Sequence, residues 1–253
     1  MSHFKQSFAW WSFGQGVSDP RQFLQAAKAI GYQGVELLPF ELWEAARQAG
    51  LIIASENGAS LTHGMNHREH HRQIEDDVRK KLELAVQYGI PNLIVFSGNR
   101  MGISDESGLE NTIECLRRLA PAAEAHGVTL VLELLNSKVD HPDYQCDHTA
   151  WALAAVKAVN SPRVQILYDI YHMQIMEGDI IRTIQQAIGY IGHVHTAGNP
   201  GRRDLDQEQE INYPAIMRTL NNLGYTGFVG QEFIPKGDPL KALQDAYHLC
   251  NVD

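Results

Sequence analysis

Short apolar runs alternate with longer amphipathic stretches along the whole chain. The first run covers 4–11. A stretch opened by Ser18-Asp19-Pro20 then carries Phe23, Leu24, Ala27 and Ile30 at helical spacing and is closed by Gly31. Ser or Asp ahead of proline marks a helix start, because proline lacks an N–H that the first turn leaves without an intrahelical partner anyway. The same alternation predicts further strands over 34–38, 51–54, 92–96, 128–134, 164–168, 191–194 and 228–232. It predicts further helices over 41–48, 69–88, 110–126, 147–159, 179–188, 214–223 and 239–249. Gly50, Gly89, Gly127 and Gly224 fall just past helix ends, where a left-handed residue is wanted.

Eight strand-helix units in 253 residues argue a parallel sheet and match a (β/α)8 TIM barrel, with the chain 1–253 read as one domain. The competitor is an open doubly wound sheet. That fold usually announces itself with a glycine fingerprint after the first strand, and Gly14-Gln15-Gly16 lacks the third glycine at the required place. No linker, low-complexity segment or repeat beyond the strand-helix period is visible.

Composition narrows the function. Hydrophobic residues are 44% and charged residues 20%, enough for a packed core. A net charge of −9 disfavours nucleic acid and anionic membranes as partners, though not a local pocket for a small anion. Cys115, Cys146 and Cys250 are too scattered for a disulfide framework or a paired-cysteine zinc site. No apolar run reaches the roughly 18 residues of a membrane span, and no secretory signal is visible, so a cytoplasmic protein is expected. Whether it forms a homo-oligomer is left open by Trp10, Trp11, Trp43 and Trp151, which suit an interface or a core.

In such a barrel the active site lies at the C-terminal ends of the strands. Four ionisable residues end apolar runs there: Glu133, Asp169, His195 and Glu232, from units five to eight. Three carboxylates and an imidazole at one mouth would repel without a cation. A divalent metal resolves this, and oxygen-rich ligands with one histidine suit Mg²⁺ or Mn²⁺ better than a thiolate-seeking ion.

Other candidates are weaker. His193 shares a strand face with His195 one layer deeper and reads as a hydrogen-bonded interior residue. His172 follows Asp169 by three residues, where it could touch substrate. His67, His70 and His71 open a long charged helix and read as a solvated face, leaving His63 as a pocket candidate in the preceding loop. The loop 198–203 carries Arg202 and Arg203 and could grip an anionic substrate group. Ser97-Gly98-Asn99-Arg100 is a weaker version of the same idea, and Glu36 ends the second strand without further support.

The run Leu132-Glu133-Leu134-Leu135-Asn136-Ser137-Lys138-Val139-Asp140-His141 resembles hydroxypyruvate isomerases. So do the run from Tyr168 to Asp179 (YDIYHMQIMEGD), Ile191-Gly192-His193-Val194-His195, Asn199-Pro200-Gly201-Arg202 and Glu210-Ile211-Asn212-Tyr213-Pro214. These belong to the xylose-isomerase-like sugar isomerases and epimerases. The resemblance implies a TIM barrel with one divalent metal on Glu133, Asp169, His195 and Glu232. It further implies that Glu133 and Glu232 form the acid/base pair, while His172 and Arg202 hold substrate oxygens. At the place of His195 the ketose 3-epimerases carry His, whereas some hydroxypyruvate isomerase-like proteins carry Gln.

Hydroxypyruvate and tartronate semialdehyde differ by which of two adjacent carbons bears the carbonyl. Their interconversion moves a proton between those carbons through an enediolate, whose charge a chelated metal would stabilise. Ketose 3-epimerisation passes through a similar enediolate, so the same site serves either substrate. An apurinic-site endonuclease on the same barrel is disfavoured by the net charge of −9, and a non-catalytic metal- or sugar-binding barrel is the remaining reading.

Overall fold

The computed structural model describes residues 3–252. Its strands are β1 (Lys5–Phe8), β2 (Gly34–Glu36), β3 (Ile52–Asn57), β4 (Asn92–Val95), β5 (Thr129–Glu133), β6 (Val164–Asp169), β7 (Ile191–Thr196) and β8 (Phe228–Gln231). They follow one another in a single sheet ordered β1-β8-β7-β6-β5-β4-β3-β2. The pairs β1–β8, β3–β4, β4–β5 and β5–β6 are parallel, and a parallel bridge from Ala9 to Glu36 links the two ends of that order. This is the expected (β/α)8 arrangement.

The helices are α1 (Trp10–Phe13), α2 (Pro20–Ile30), α3 (Trp43–Gln48), α4 (His71–Tyr88), α5 (Asp105–His126), α6 (Thr149–Val159), α7 (Ile170–Met176), α8 (Ile180–Ala187), α9 (Tyr213–Asn222) and α10 (Pro239–Cys250). Their starts follow the capping chemistry of the sequence. Asp19, Asn212 and Asp238 each accept a first-turn N–H ahead of a proline, satisfying a donor the helix leaves over. Helix α5 starts earlier than the apolar period predicts, because Ser104 accepts from Ser107 N at 3.1 Å. Its Gly108 is buried where a β-carbon would overlap the Gln145 side chain, which explains a glycine inside a helix. No helix among the described residues is long and apolar enough to cross a membrane.

Contacts divide the chain into two compact units. One comprises Met1–Ala54, Asp179–Ile188 and Val194–Asp253; the other comprises Ser55–Gly178 and Gly189–His193. In the first, an aromatic cluster of Phe8, Phe13, Phe23, Tyr32 and Phe233 packs edge-to-face around β1. In the second, strands β4 and β5 are buried on both faces, and their near-continuous Val, Leu and Ile runs reflect the double burial.

Candidate active site

The first unit carries a connected polar group built on β1, β2, β7 and β8. Glu36, the last residue of β2, is fully buried. One of its oxygens accepts from the Ser7 hydroxyl, and the other lies 3.0 Å from His195 Nε2. The opposite ring nitrogen, His195 Nδ1, lies 3.3 Å from Glu232 Oε2. Glu232, just past β8, also receives Trp11 Nε1 at 2.9 Å and Arg202 Nη2 at 2.7 Å. The Arg202 guanidinium lies over the Trp11 ring, 5.1 Å from its centroid. Burial pushes the Glu232 carboxyl up, but the charges of His195 and Arg202, with hydrogen bonds from His195 and Trp11, outweigh it and hold the carboxyl far below the usual carboxylate range.

The loop that presents Arg202 is fastened at several points. Gly198 and Arg203 exchange backbone hydrogen bonds, and Ile234 N donates to Arg202 O at 2.8 Å. Lys236 N donates to Asp204 at 2.8 Å, while its ammonium reaches Asp206 and Glu208 at 2.7 Å each.

The second unit carries Glu133 and Asp169, both buried at the ends of β5 and β6. Tyr144 donates its hydroxyl to Glu133 O at 2.9 Å, holding that strand end. Asp169 accepts from His172 N at 2.9 Å and so caps α7. His172 therefore sits in a helix rather than the loop expected after the strand, and it is fully buried. Its Nδ1 accepts from Asn136 N at 3.2 Å and faces Asn136 Nδ2 at 2.6 Å. An acceptor Nδ1 leaves the proton on Nε2, which lies 3.8 Å from Asp169 Oδ2. His193 is buried with Nδ1 3.3 Å from Asn92 Nδ2, the interior role expected of it.

Sequence reasoning left Glu36 with no partner, yet it bonds the predicted ligand His195 across 159 positions of chain. Trp11 was treated only as core or interface. The solvated-face reading of the histidine run is corrected in part. His71 is buried with Nε2 2.8 Å from Met65 O, and His67 is buried with Nε2 3.1 Å from Arg100 O. Both rings serve the carbonyls of neighbouring loops, a demand that helix periodicity does not reveal. His63 is exposed and meets the His70 ring at 5.0 Å.

The second unit offers the buried carboxylates Glu133 and Asp169, and the first unit offers His195 and Glu232. By donor chemistry these four residues suit a divalent cation, being three hard carboxylates and one imidazole with no thiolate. Both Glu36 oxygens are already engaged by Ser7 and His195.

A family model described as xylose isomerase-like TIM barrel matches residues 24–250. The chain belongs to that family. Within it, the 2-oxo-tetronate isomerase of Pectobacterium atrosepticum is 32% identical over 234 residues, covering 84% of this chain and 86% of that one. The hydroxypyruvate isomerase of Escherichia coli is 32% identical over 189 residues, covering 74% and 70%. A crystal structure of an AP endonuclease, family 2, from Brucella melitensis matches with a TM-score of 0.82 and 30% identity, covering 96% of this chain and 97% of that one. The isomerase relatives bear out the expectation of an isomerase enzyme in the xylose isomerase-like family.

Proposed function

We propose that the protein interconverts hydroxypyruvate and 2-hydroxy-3-oxopropanoate (tartronate semialdehyde) as a divalent-metal-dependent isomerase. The observation that carries this reading is the Arg202–Glu232 pair at 2.7 Å. It sets a carboxylate-binding fork beside a carboxylate able to move a proton, in a chain 32% identical to a hydroxypyruvate isomerase.

In this reading Glu133, Asp169, His195 and Glu232 hold one Mg²⁺ or Mn²⁺. When bound, the ion would supply Lewis-acid stabilisation of the negative charge that develops on the substrate. Glu133 and Glu232 take the proton from C3 and return it to C2 through the enediolate, while the O3 hydroxyl proton passes to O2 as the carbonyl moves from C2 to C3, and the reverse path uses the same pair. Arg202 turns its fork to the substrate carboxylate, and the Nε2–H of His172 donates to a substrate oxygen. Free, buried Cys115, Cys146 and Cys250 support a reducing cytoplasm as the compartment.

Two neighbouring readings share the chemistry. The 2-oxo-tetronate isomerase relative, 32% identical, favours a four-carbon 2-oxo acid as substrate. His195 in the place where ketose 3-epimerases carry His favours a free ketose.

The test is proton exchange. Metal-reconstituted protein is incubated in D₂O with hydroxypyruvate, a four-carbon 2-oxo acid or free ketoses and followed by NMR, with Glu232→Gln as control. Deuterium at C3 of hydroxypyruvate, with tartronate semialdehyde appearing and the control silent, is the expected result. Exchange confined to the four-carbon acid or to C3 of a ketose moves the substrate and keeps the acid/base pair. Silence with every substrate overturns the proposal.

A further inference from the structure

Glu36 takes no part in the reaction proposed above, yet it is a fully buried carboxylate at a strand end. Burying an ionised carboxylate is costly unless its oxygens are bonded, so its retention needs a reason. Each oxygen has a designated partner, the Ser7 hydroxyl on one and His195 Nε2 on the other at 3.0 Å. An ionised carboxylate only accepts hydrogen bonds, so Nε2 keeps a proton whether or not the ring is charged. Nδ1, 3.3 Å from Glu232 Oε2, is then the nitrogen whose lone pair is bared when the ring is neutral.

A second observation concerns the space that Glu36 occupies. Gly230 stands inside β8, where a glycine forfeits side-chain packing and costs conformational entropy. A β-carbon there would overlap Glu36 Oε1 and come within 2.9 Å of His195 Cδ2. The strand has given up a side chain at the one register position where the Glu36 carboxylate and the imidazole lie against it. The register of β1 on β8 pairs Gly230 with Ser7, the residue that bonds that same Glu36 oxygen. Four strands, β1, β2, β7 and β8, therefore contribute to seating one carboxylate against one ring.

We propose that Glu36 is a positioning residue that fixes the tautomer and orientation of His195, presenting Nδ1 as the ligand nitrogen, and that Gly230 is the cradle that lets it do so. This rests on the reading of His195 as a metal ligand. A histidine ligand whose other nitrogen donates to a carboxylate is held in one ring orientation and made more basic, and loss of such a partner costs about 10–100-fold in metal affinity.

The test uses the full chain with Mn²⁺ as the probe. Long-range ¹H–¹⁵N spectra of histidine-labelled, metal-free protein read the His195 tautomer, and electron paramagnetic resonance of free Mn²⁺ reads affinity and stoichiometry. In wild type Nε2 stays protonated. Glu36→Ala shows mixed tautomers and about 10–100-fold weaker Mn²⁺ binding. Glu36→Gln, whose amide oxygen can still accept from Nε2, keeps most of both. Gly230→Ala, which drives the carboxylate from its seat, reproduces the defect with Glu36 intact, and it serves as the deciding variant if Glu36→Ala does not fold. Wild-type tautomer and affinity in a folded Glu36→Ala overturn the proposal. So does a fall from two bound Mn²⁺ to one, which would make Glu36 a ligand. If wild type binds no Mn²⁺, the metal reading fails while the tautomer comparison still decides the role of Glu36.

Discussion

Arg202 Nη2 lies 2.7 Å from Glu232 Oε2, and the other Glu232 oxygen is taken by Trp11 Nε1 at 2.9 Å. The Arg202 guanidinium lies 5.1 Å from the Trp11 ring centroid, so three side chains fix one another. An arginine held this way presents an oriented fork, while a lysine would present a point charge with neither the stacking nor the bidentate geometry. Arg202 is also a non-glycine residue at φ +55°, following Gly201 at φ +91°, so the turn is shaped around it.

Arg202→Ala and Arg202→Lys should both lower kcat/KM for a carboxylate substrate. The loss follows from one hydrogen bond to a charged group, worth about 1.5–3 kcal/mol, or about 10–100-fold. Steady-state kinetics with the 2-oxo acid and an uncharged ketose side by side read it. Equal losses on both, or none on either, would exclude a carboxylate grip.

Glu232→Gln should abolish exchange of the substrate proton while leaving the fold in place. The amide keeps the size of the side chain and can still accept from Trp11, but it cannot take a proton. A general base contributes about 10²–10⁴-fold, which is the expected fall in the exchange rate. Substrate-level deuterium incorporation measures it, and circular dichroism checks the fold. Exchange at wild-type rate would move the proton transfer away from this residue.

Glu56, at the end of β3, has its carboxyl pushed above the usual range by burial, with the Asn57 N–H and Lys81 opposing. A raised folded-state value means that the native protein binds this proton more tightly than the unfolded chain. The carboxyl therefore costs no stability below the unfolded value near 4.5, and the cost develops as pH rises through the folded value. Glu56→Gln should raise Tm at pH 7 by on the order of a few degrees, and the gain should vanish near pH 4. A gain that instead grew toward acid would show that the Lys81 pair, 3.8 Å away, outweighs the burial.

The loop 62–66 zips along the end of β4 through Met65 N to Phe96 O at 3.2 Å, Asn66 N to Ser97 O at 2.8 Å and Asn99 N to Thr62 O at 3.2 Å. Gly98 adopts φ +98° there, and a β-carbon on it would lie 2.8 Å from Gly64 Cα. Gly98→Ala should cost about 1–3 kcal/mol from backbone strain alone, lowering Tm by roughly 2–12 °C. Thermal unfolding reads the change, and an unaltered Tm would mean that the loop relaxes at no cost.

The sequence carried the fold because its strand-helix period, prolines and glycines act locally. Asp19-Pro20 and Gly89 each mark a helix end within one turn of themselves. The strand-end charges Glu133 and Asp169 were legible for the same reason, since each closes an apolar run. Helix α7 was not legible, because its cap is the strand-end Asp169 itself and no glycine or proline separates the two elements. His195 lies inside β7 rather than at its end, since the strand continues to Thr196. Glu36 and Trp11 stayed silent because their partners lie far along the chain, His195 for one and Glu232 for the other, and no local pattern encodes such pairings.

Removal of a divalent ion should be read as a change in stability as well as in activity. If Glu133, Asp169, His195 and Glu232 hold one cation, the folded state binds it and the unfolded chain does not. Mn²⁺ at 100 times its dissociation constant then stabilises by about 2.7 kcal/mol, or roughly 5–11 °C in Tm for a chain of this length. EDTA should lower Tm by that amount and silence proton exchange, and Mn²⁺ should restore both along one saturation curve. His195→Ala should flatten the Tm response to Mn²⁺, because removing the imidazole leaves the cation one protein ligand short. A Tm indifferent to EDTA and Mn²⁺ alike, in protein shown to be metal-free at the start, would remove the cation from the proposal.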